Sequence, residues 1–289
     1  MGRASHRAID LTALLMGNAA LACGPWLVRM ADTGPVSAGF WRLALPIPVF
    51  ALIAWFSRER SRTQPAFERR LIVLAGVAGV FFALDIASWH LGIERTRLGN
   101  AVLFGNAGSL VLMGWGLTRL GRAASARDYL AVVAAIGGGA ILLGRSLSLS
   151  PAYFVGDLLC LFAGLCYAAY LLPAQTAREG ASPAAVLLIV CCSAAPVLLV
   201  IAVSLGEPVL PGAAGWTPVV LLALSSQLVG QGLLVFALRH FGALVIGLAL
   251  MTQPVVAGVI GWRVFGETLS PLDVLGMALV GGALVIARR

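Results

Sequence analysis

The 289-residue sequence contains no lysine: all 20 of its basic residues are arginine, set against 12 acidic residues. A Gly-x-x-x-x-Gly-Lys-Ser/Thr phosphate loop is therefore excluded, and with it the usual means of driving work by ATP. Charge of either sign is scarce, at 11% of residues, against about 25% in soluble domains. So few charges cannot cover a chain with a water-compatible surface. Cysteine gives no chemistry either. Cys23, Cys160, Cys166, Cys191 and Cys192 form no Cys-x-x-Cys or Cys/His cluster, which argues against a disulfide framework or a metal site and leaves them as small buried apolar residues. The sequence has no Gly-x-Ser-x-Gly nucleophile and no paired His/Asp/Glu group, so a membrane-embedded enzyme lacks its machinery. No cofactor is expected. A scaffold or sensor would need a soluble effector domain or a long tail, and the short connections leave room for neither.

What the sequence has instead is apolar length. Hydrophobic residues make up 60% of it, with a mean hydropathy of +0.96. The apolar runs are continuous over roughly 20 residues and do not alternate over roughly 10, which selects helices over a barrel as the membrane-spanning structure. Windows near 10–30, 36–56, 71–92, 98–118, 128–144, 153–174, 184–205, 217–238, 242–262 and 271–287 read as ten transmembrane helices. The N-terminus, with Arg3 and Arg7 ahead of an apolar run, resembles a secretory leader. Nine more spans follow it, so it is read as the first membrane helix, retained.

Arginine placement sets the orientation. Both termini and the four even-numbered loops carry 14 arginines, the opposite loops five, and Arg42 lies within a span. The positive-inside rule then puts both termini in the cytoplasm. The net charge of +8 is spread along these loops and forms no basic domain, so nucleic acid is not an expected partner. The partners expected are the lipid bilayer and a small-molecule substrate.

The chain also repeats itself. Asp10-Leu11 followed by Gly17 recurs as Asp157-Leu158 followed by Gly164, an offset of 147. Pro48 matches Pro196, Gly99 matches Gly247, and Asn106 matches Pro254, each 148 apart. Gly138-Gly139-Ala140-Ile141 returns as Gly281-Gly282-Ala283-Leu284. Two five-helix repeats, 1–145 and 153–289, follow. With an odd number of spans in each, the second must lie upside down relative to the first. The expected fold class is thus an all-α polytopic membrane protein built from two inverted repeats, an architecture of secondary transporters whose site lies between the halves.

The landmarks resemble a known family. Gly156-Asp157-Leu158-Leu159 with Ala168-Ala169-Tyr170 is similar to the start of an EamA-type domain, and Pro254 followed by Phe265-Gly266-Glu267-Thr268-Leu269, Asp273-Val274-Leu275-Gly276 and Gly281-Gly282 is similar to its end. This resembles the ten-helix drug/metabolite transporter superfamily with two such domains. Asn106 stands where that family has a proline in the first half. Within the superfamily the chain most resembles the YddG-like aromatic amino-acid exporters. The resemblance implies export of a small metabolite across a bacterial cytoplasmic (inner) membrane: amino acids, with aromatic or bulky apolar side chains preferred. Another solute such as a nucleobase, a sugar conjugate or a cationic drug is the alternative.

Polar residues inside hydrocarbon need a reason, because a charge at mid-helix costs roughly 2.5–3.5 kcal/mol on insertion scales. Asp85 lies deep in the third window, with Ser88 and Trp89 on its face. It reads either as a cavity carboxyl that meets a substrate ammonium or exchanges a proton, or as a structural carboxyl bonded to a neighbouring helix. Asn18, Asn106, Gln227, Gln231 and Gln253 lie at mid-span depth, with Gln227 and Gln231 four apart on one face. With Tyr167 they supply the few convergent polar groups a mostly apolar pocket needs. Arg42 is expected to snorkel to the interface or to pair with Asp32, His90 to be structural, and Asp10 and Asp157 to cap helices. Pro25, Pro173 and Pro254 mark kinks, since a mid-span proline removes a backbone bond. Such kinks are plausible hinges.

Overall fold

A computed structural model describes residues 3–60, 69–96, 98–119, 124–144, 151–253 and 271–287. All the regular structure among them is helical: α1 (Arg3–Ala22), α2 (Gly24–Met30), α3 (Pro35–Ala44), α4 (Ile47–Arg60), α5 (Arg69–Arg95), α6 (Leu98–Gly105), α7 (Ala107–Thr118), α8 (Ala126–Gly144), α9 (Pro151–Gly180), α10 (Pro183–Ser204), α11 (Trp216–Leu222), a π-helical stretch (Ala223–Gln231), α12 (Gly232–Ala237), α13 (Ala243–Leu250) and α14 (Pro271–Ala287). Each of the ten apolar windows carries helix. By length and composition, six segments of the described residues can cross a membrane: Ile9–Met30, Pro35–Phe56, Arg69–Arg95, Phe154–Gly180, Pro183–Ser204 and Trp216–Ala237.

Large apolar side chains cover the outside. Trp55, Val133, Phe154 and Val200 are all more than half exposed, a surface that suits lipid and not water. Inside, α5 packs along α9 and α10, α3 lies on α10, α1 on the π stretch and α12, α7 on α13, and α8 on α14. Small residues permit this closeness. A Cβ at Gly164 of α9 would stand 2.7 Å from the carbonyl oxygen of Phe104 and 2.8 Å from that of Gly105, so the two backbones touch directly.

The long apolar windows are interrupted in the interior, and each interruption has a local cause. Between α1 and α2 the chain turns at Cys23, just ahead of Pro25, whose ring cannot donate the next helical bond. The expected kink at Pro25 is therefore present as a break. Pro46 separates α3 from α4. Between α6 and α7 no proline is needed. The Asn106 side chain donates from Nδ2 to the Val102 carbonyl at 2.7 Å, onto the acceptor that its own backbone N–H also uses, and Ser109 N–H closes a tighter turn on Asn106 O. Pro173, by contrast, sits within α9, which stays helical from Pro151 to Gly180. Pro254 and the Glu267 region lie outside the described residues.

The loop after α10 is tied to the start of α3. Gly206, at φ +70°, turns the chain. Glu207 then accepts from the backbone N–H groups of Ser37 (2.8 Å) and Val36 (3.4 Å), at the N-terminus of α3. Thr33 Oγ1 donates to Pro208 O and Trp41 Nε1 to Val209 O, while Asp32 accepts from Gly212 N–H at 3.1 Å.

Asp10 and Asp157 do not cap helices. Both lie inside them, because α1 and α9 begin several residues earlier than the hydropathy windows indicate. Asp157 accepts from Thr96 Oγ1 at 2.5 Å, and Asp10 lies 4.0 Å from His240 Nδ1. Of the cysteines, Cys160, Cys166 and Cys191 are buried and Cys23 is half-buried, but Cys192 faces outward.

Candidate functional site

A cavity of about 70 Å³ lies in the interior. Since a single water needs about 10–15 Å³, it has room for several waters or one compact solute. Its polar lining comes from Arg42 on α3, Asp85 and Trp89 on α5, Asn106 at the α6–α7 break, Tyr167 on α9, Gln231 at the end of the π stretch, and Gln253. Apolar walls come from Leu21, Ala22, Pro25, Phe82 and Val102.

The structure thus brings Asp85, Trp89, Asn106, Tyr167, Gln231 and Gln253 around one space. Asn18 stands directly behind it. Fully buried, it donates from Nδ2 to Ala249 O (2.5 Å) and to Thr252 Oγ1 (2.7 Å), and it accepts at Oδ1 from Gln253 Nε2 (2.7 Å). Gln227 turns away from the cavity, and its Nε2 donates to Cys191 Sγ at 3.5 Å. Two glutamines four apart lie on neighbouring positions of one helical face, yet only Gln231 reaches the cavity, while Gln227 is taken by Cys191. Ser88, likewise, is buried off the cavity while Phe82, Asp85 and Trp89 line it.

Gln231 is held from both ends by α9. Its Nε2 donates to Tyr167 Oη at 3.2 Å, and its Oε1 accepts from Tyr170 Oη at 3.1 Å. Tyr170 in turn stacks on Phe82, with ring centroids 4.4 Å apart. This locks the floor of the cavity.

Sequence reasoning missed Arg42. It is only 4% exposed, and it neither snorkels nor pairs with Asp32, which is occupied by the outer loop. Its Cζ lies 5.9 Å from the Phe82 ring centroid and its Nε has no hydrogen-bond partner among the described residues. Its depth within an apolar span was legible in the sequence, but not the direction in which it points. His90 Nδ1 bonds to Pro35 O at 2.8 Å, packing α5 against the start of α3, and its buried Nε2 has no hydrogen-bond partner among the described residues.

Residues 154–289 match the EamA-like transporter family. This stretch is similar to an EamA-like transporter domain. Over nearly their whole length, the chain is 27% identical to the threonine/homoserine exporter RhtA of Escherichia coli K12 (286 residues, 96% of this chain and 90% of the relative). It is 27% identical to the exporter of the same name from Salmonella typhimurium SL1344 (295 residues, 97% and 93%). A solved crystal structure superposes with a TM-score of 0.74, covering 99% of this chain and 97% of the other at 18% identity, a likeness of fold. The match over 154–289, just under half of the chain, and the relatives at 27% identity make the chain similar to EamA-like transporters, and its long apolar helices are those of a multi-pass membrane protein.

Proposed function

We propose that this protein exports amino acids across a bacterial cytoplasmic membrane, by alternating access through the central cavity. One observation carries the reading: four of the interior backbone irregularities converge on that cavity. Pro25 beside the α1–α2 break, Asn106 at the α6–α7 break, Gln231 at the end of the π stretch and Gln253 after the turn at Met251 and Thr252 all line it. Irregular backbone at membrane depth is tolerated where it is buried in protein or faces a hydrated cavity, and discontinuous helices mark the sites of secondary transporters.

The wider architecture is ten spans in two inverted repeats, 1–145 and 153–289, with cytoplasmic termini. Equivalent contacts support it. Asp10 on the first helix of the first half meets His240, in the turn after the third window of the second half. Its counterpart Asp157, on the first helix of the second half, meets Thr96 after the third window of the first half. That is the exchange a two-fold axis in the membrane plane produces.

The relatives named for threonine and homoserine, and the size of the cavity, favour compact amino acids. Trp89 and Tyr167 keep an apolar or aromatic side chain admissible. The test is counterflow in liposomes containing the purified protein, loaded with unlabelled L-threonine and offered labelled L-threonine, L-tryptophan or uracil. Exchange of either amino acid supports the reading, and the two rates give the side-chain preference. Exchange of uracil alone would make the protein an exporter of another solute class.

A further inference from the structure

Among the described residues that line the cavity one is basic and one acidic, and no ion pair within 4.0 Å joins them. Arg42 enters from α3 and Asp85 from α5, and both line the same space. They are near enough to interact electrostatically, yet among the described residues neither has an opposite charge within 4.0 Å. Arg42 is buried with Nε lacking an acceptor and its guanidinium over the Phe82 ring. A buried cation with unfilled donors is costly and is ordinarily matched by an anion. No part of α3 supplies one. An unfilled cation and an unfilled anion facing a common space present the complement of a zwitterion.

We propose that Arg42 and Asp85 form a two-pole clamp, in which the Arg42 guanidinium takes the α-carboxylate of an amino acid and the Asp85 carboxylate takes its α-ammonium. This rests on the amino-acid reading above and assigns its residues. Arginine suits the carboxylate pole, since its planar fork gives two parallel hydrogen bonds where lysine gives a point charge. Phe82 fixes the spacing: it lies under the guanidinium and one helical turn from Asp85 on α5. The clamp leaves the side chain of the bound amino acid to Trp89, Asn106, Tyr167 and Gln253, so side-chain preference and backbone recognition are separate functions of the same cavity.

The decisive experiment removes poles from ligand and protein in turn. Purified protein in detergent is titrated with L-threonine, L-threoninamide (no carboxylate), 1-amino-2-propanol (no carboxyl group) and 3-hydroxybutyrate (no ammonium), and binding is read from tryptophan fluorescence and thermal shift. The unmodified protein should bind L-threonine at least about tenfold more tightly than any analogue lacking a pole, since a hydrogen bond to a charged group is worth that or more. Arg42→Gln should weaken L-threonine by a similar factor while leaving L-threoninamide unchanged. Asp85→Asn should weaken L-threonine and leave 3-hydroxybutyrate unchanged. Arg42→Lys should recover only part of the loss. If Arg42→Gln weakens L-threonine and L-threoninamide equally, or the unmodified protein does not distinguish them, the clamp is wrong while amino-acid export stands. If the protein binds no amino acid at all, both readings fall. Because the ligand series needs no variant, a misfolded substitution does not leave the question open.

Discussion

Gln253 Nε2 donates to Asn18 Oδ1 at 2.7 Å, joining residues 235 positions apart in the chain. Gln253 faces the cavity and Asn18 does not. The bond therefore fixes a cavity side chain from behind and ties the first helix of one half to the fourth window of the other.

The two amides should separate on substitution. Asn18→Leu takes the acceptor from Gln253 Nε2 and a donor from Ala249 O and Thr252 Oγ1, a cost of about 1–3 kcal/mol, and is expected to lower the melting temperature in detergent. Gln253→Leu removes a cavity-facing group and should reduce amino-acid counterflow with a smaller thermal effect. Equal loss of stability in both, with transport intact, would make the pair a helix tie only.

Gly164 is a second test, of packing. A methyl group there meets the Phe104 and Gly105 carbonyls of the helix across from it. Gly164→Ala should therefore destabilise by about 1–3 kcal/mol, as overpacking does. A variant as stable as the parent in thermal unfolding would show that α6 and α9 lie farther apart.

The outer strap makes a third. Glu207 occupies the N-terminus of α3, and removing such a cap costs about 0.5–2 kcal/mol. Glu207→Ala should lower the melting temperature by more than Glu207→Gln, which keeps an acceptor oxygen. No change in either variant would mean that the loop is held by Thr33 and Trp41 alone.

Orientation can be read on the same loop. Leu210 is 70% exposed and belongs to the side assigned to the exterior. In a protein with its native cysteines replaced, Leu210→Cys should react with an impermeant thiol reagent added to intact cells. Reaction only in inverted vesicles would reverse the topology.

Energy coupling is the remaining test, and Asp85 is the residue to carry it. A carboxyl that binds either a proton or a substrate ammonium exchanges one for the other, so protons moving outward through the protein bring substrate inward. Liposomes with an acidic interior, membrane potential clamped, should accumulate labelled L-threonine. Asp85→Asn should lose this accumulation while retaining counterflow at raised substrate concentration. Accumulation that ignores the pH gradient would leave facilitated diffusion as the mechanism.

What the sequence determined by itself is what depends on local composition and length. Twenty-residue apolar runs must become helices in lipid, because no other open structure satisfies the backbone there. Their number and order, the arginine bias and the spacing of the repeat landmarks can all be read without coordinates, whereas the ends of α1 and α9 could not. Asp85 and Trp89 were legible as one face because α5 is an unbroken α-helix. Gln227 was less legible: the four-residue spacing set it beside Gln231, but it bonds to Cys191 while Gln231 faces the cavity, a choice made by partners far away in sequence. Arg42 was the other residue that only the tertiary structure could place. Hydropathy gives its depth along the membrane normal but not its direction around the helix. The direction is set by Phe82 beneath the guanidinium and by the loop that claims Asp32, contacts from segments far away in sequence.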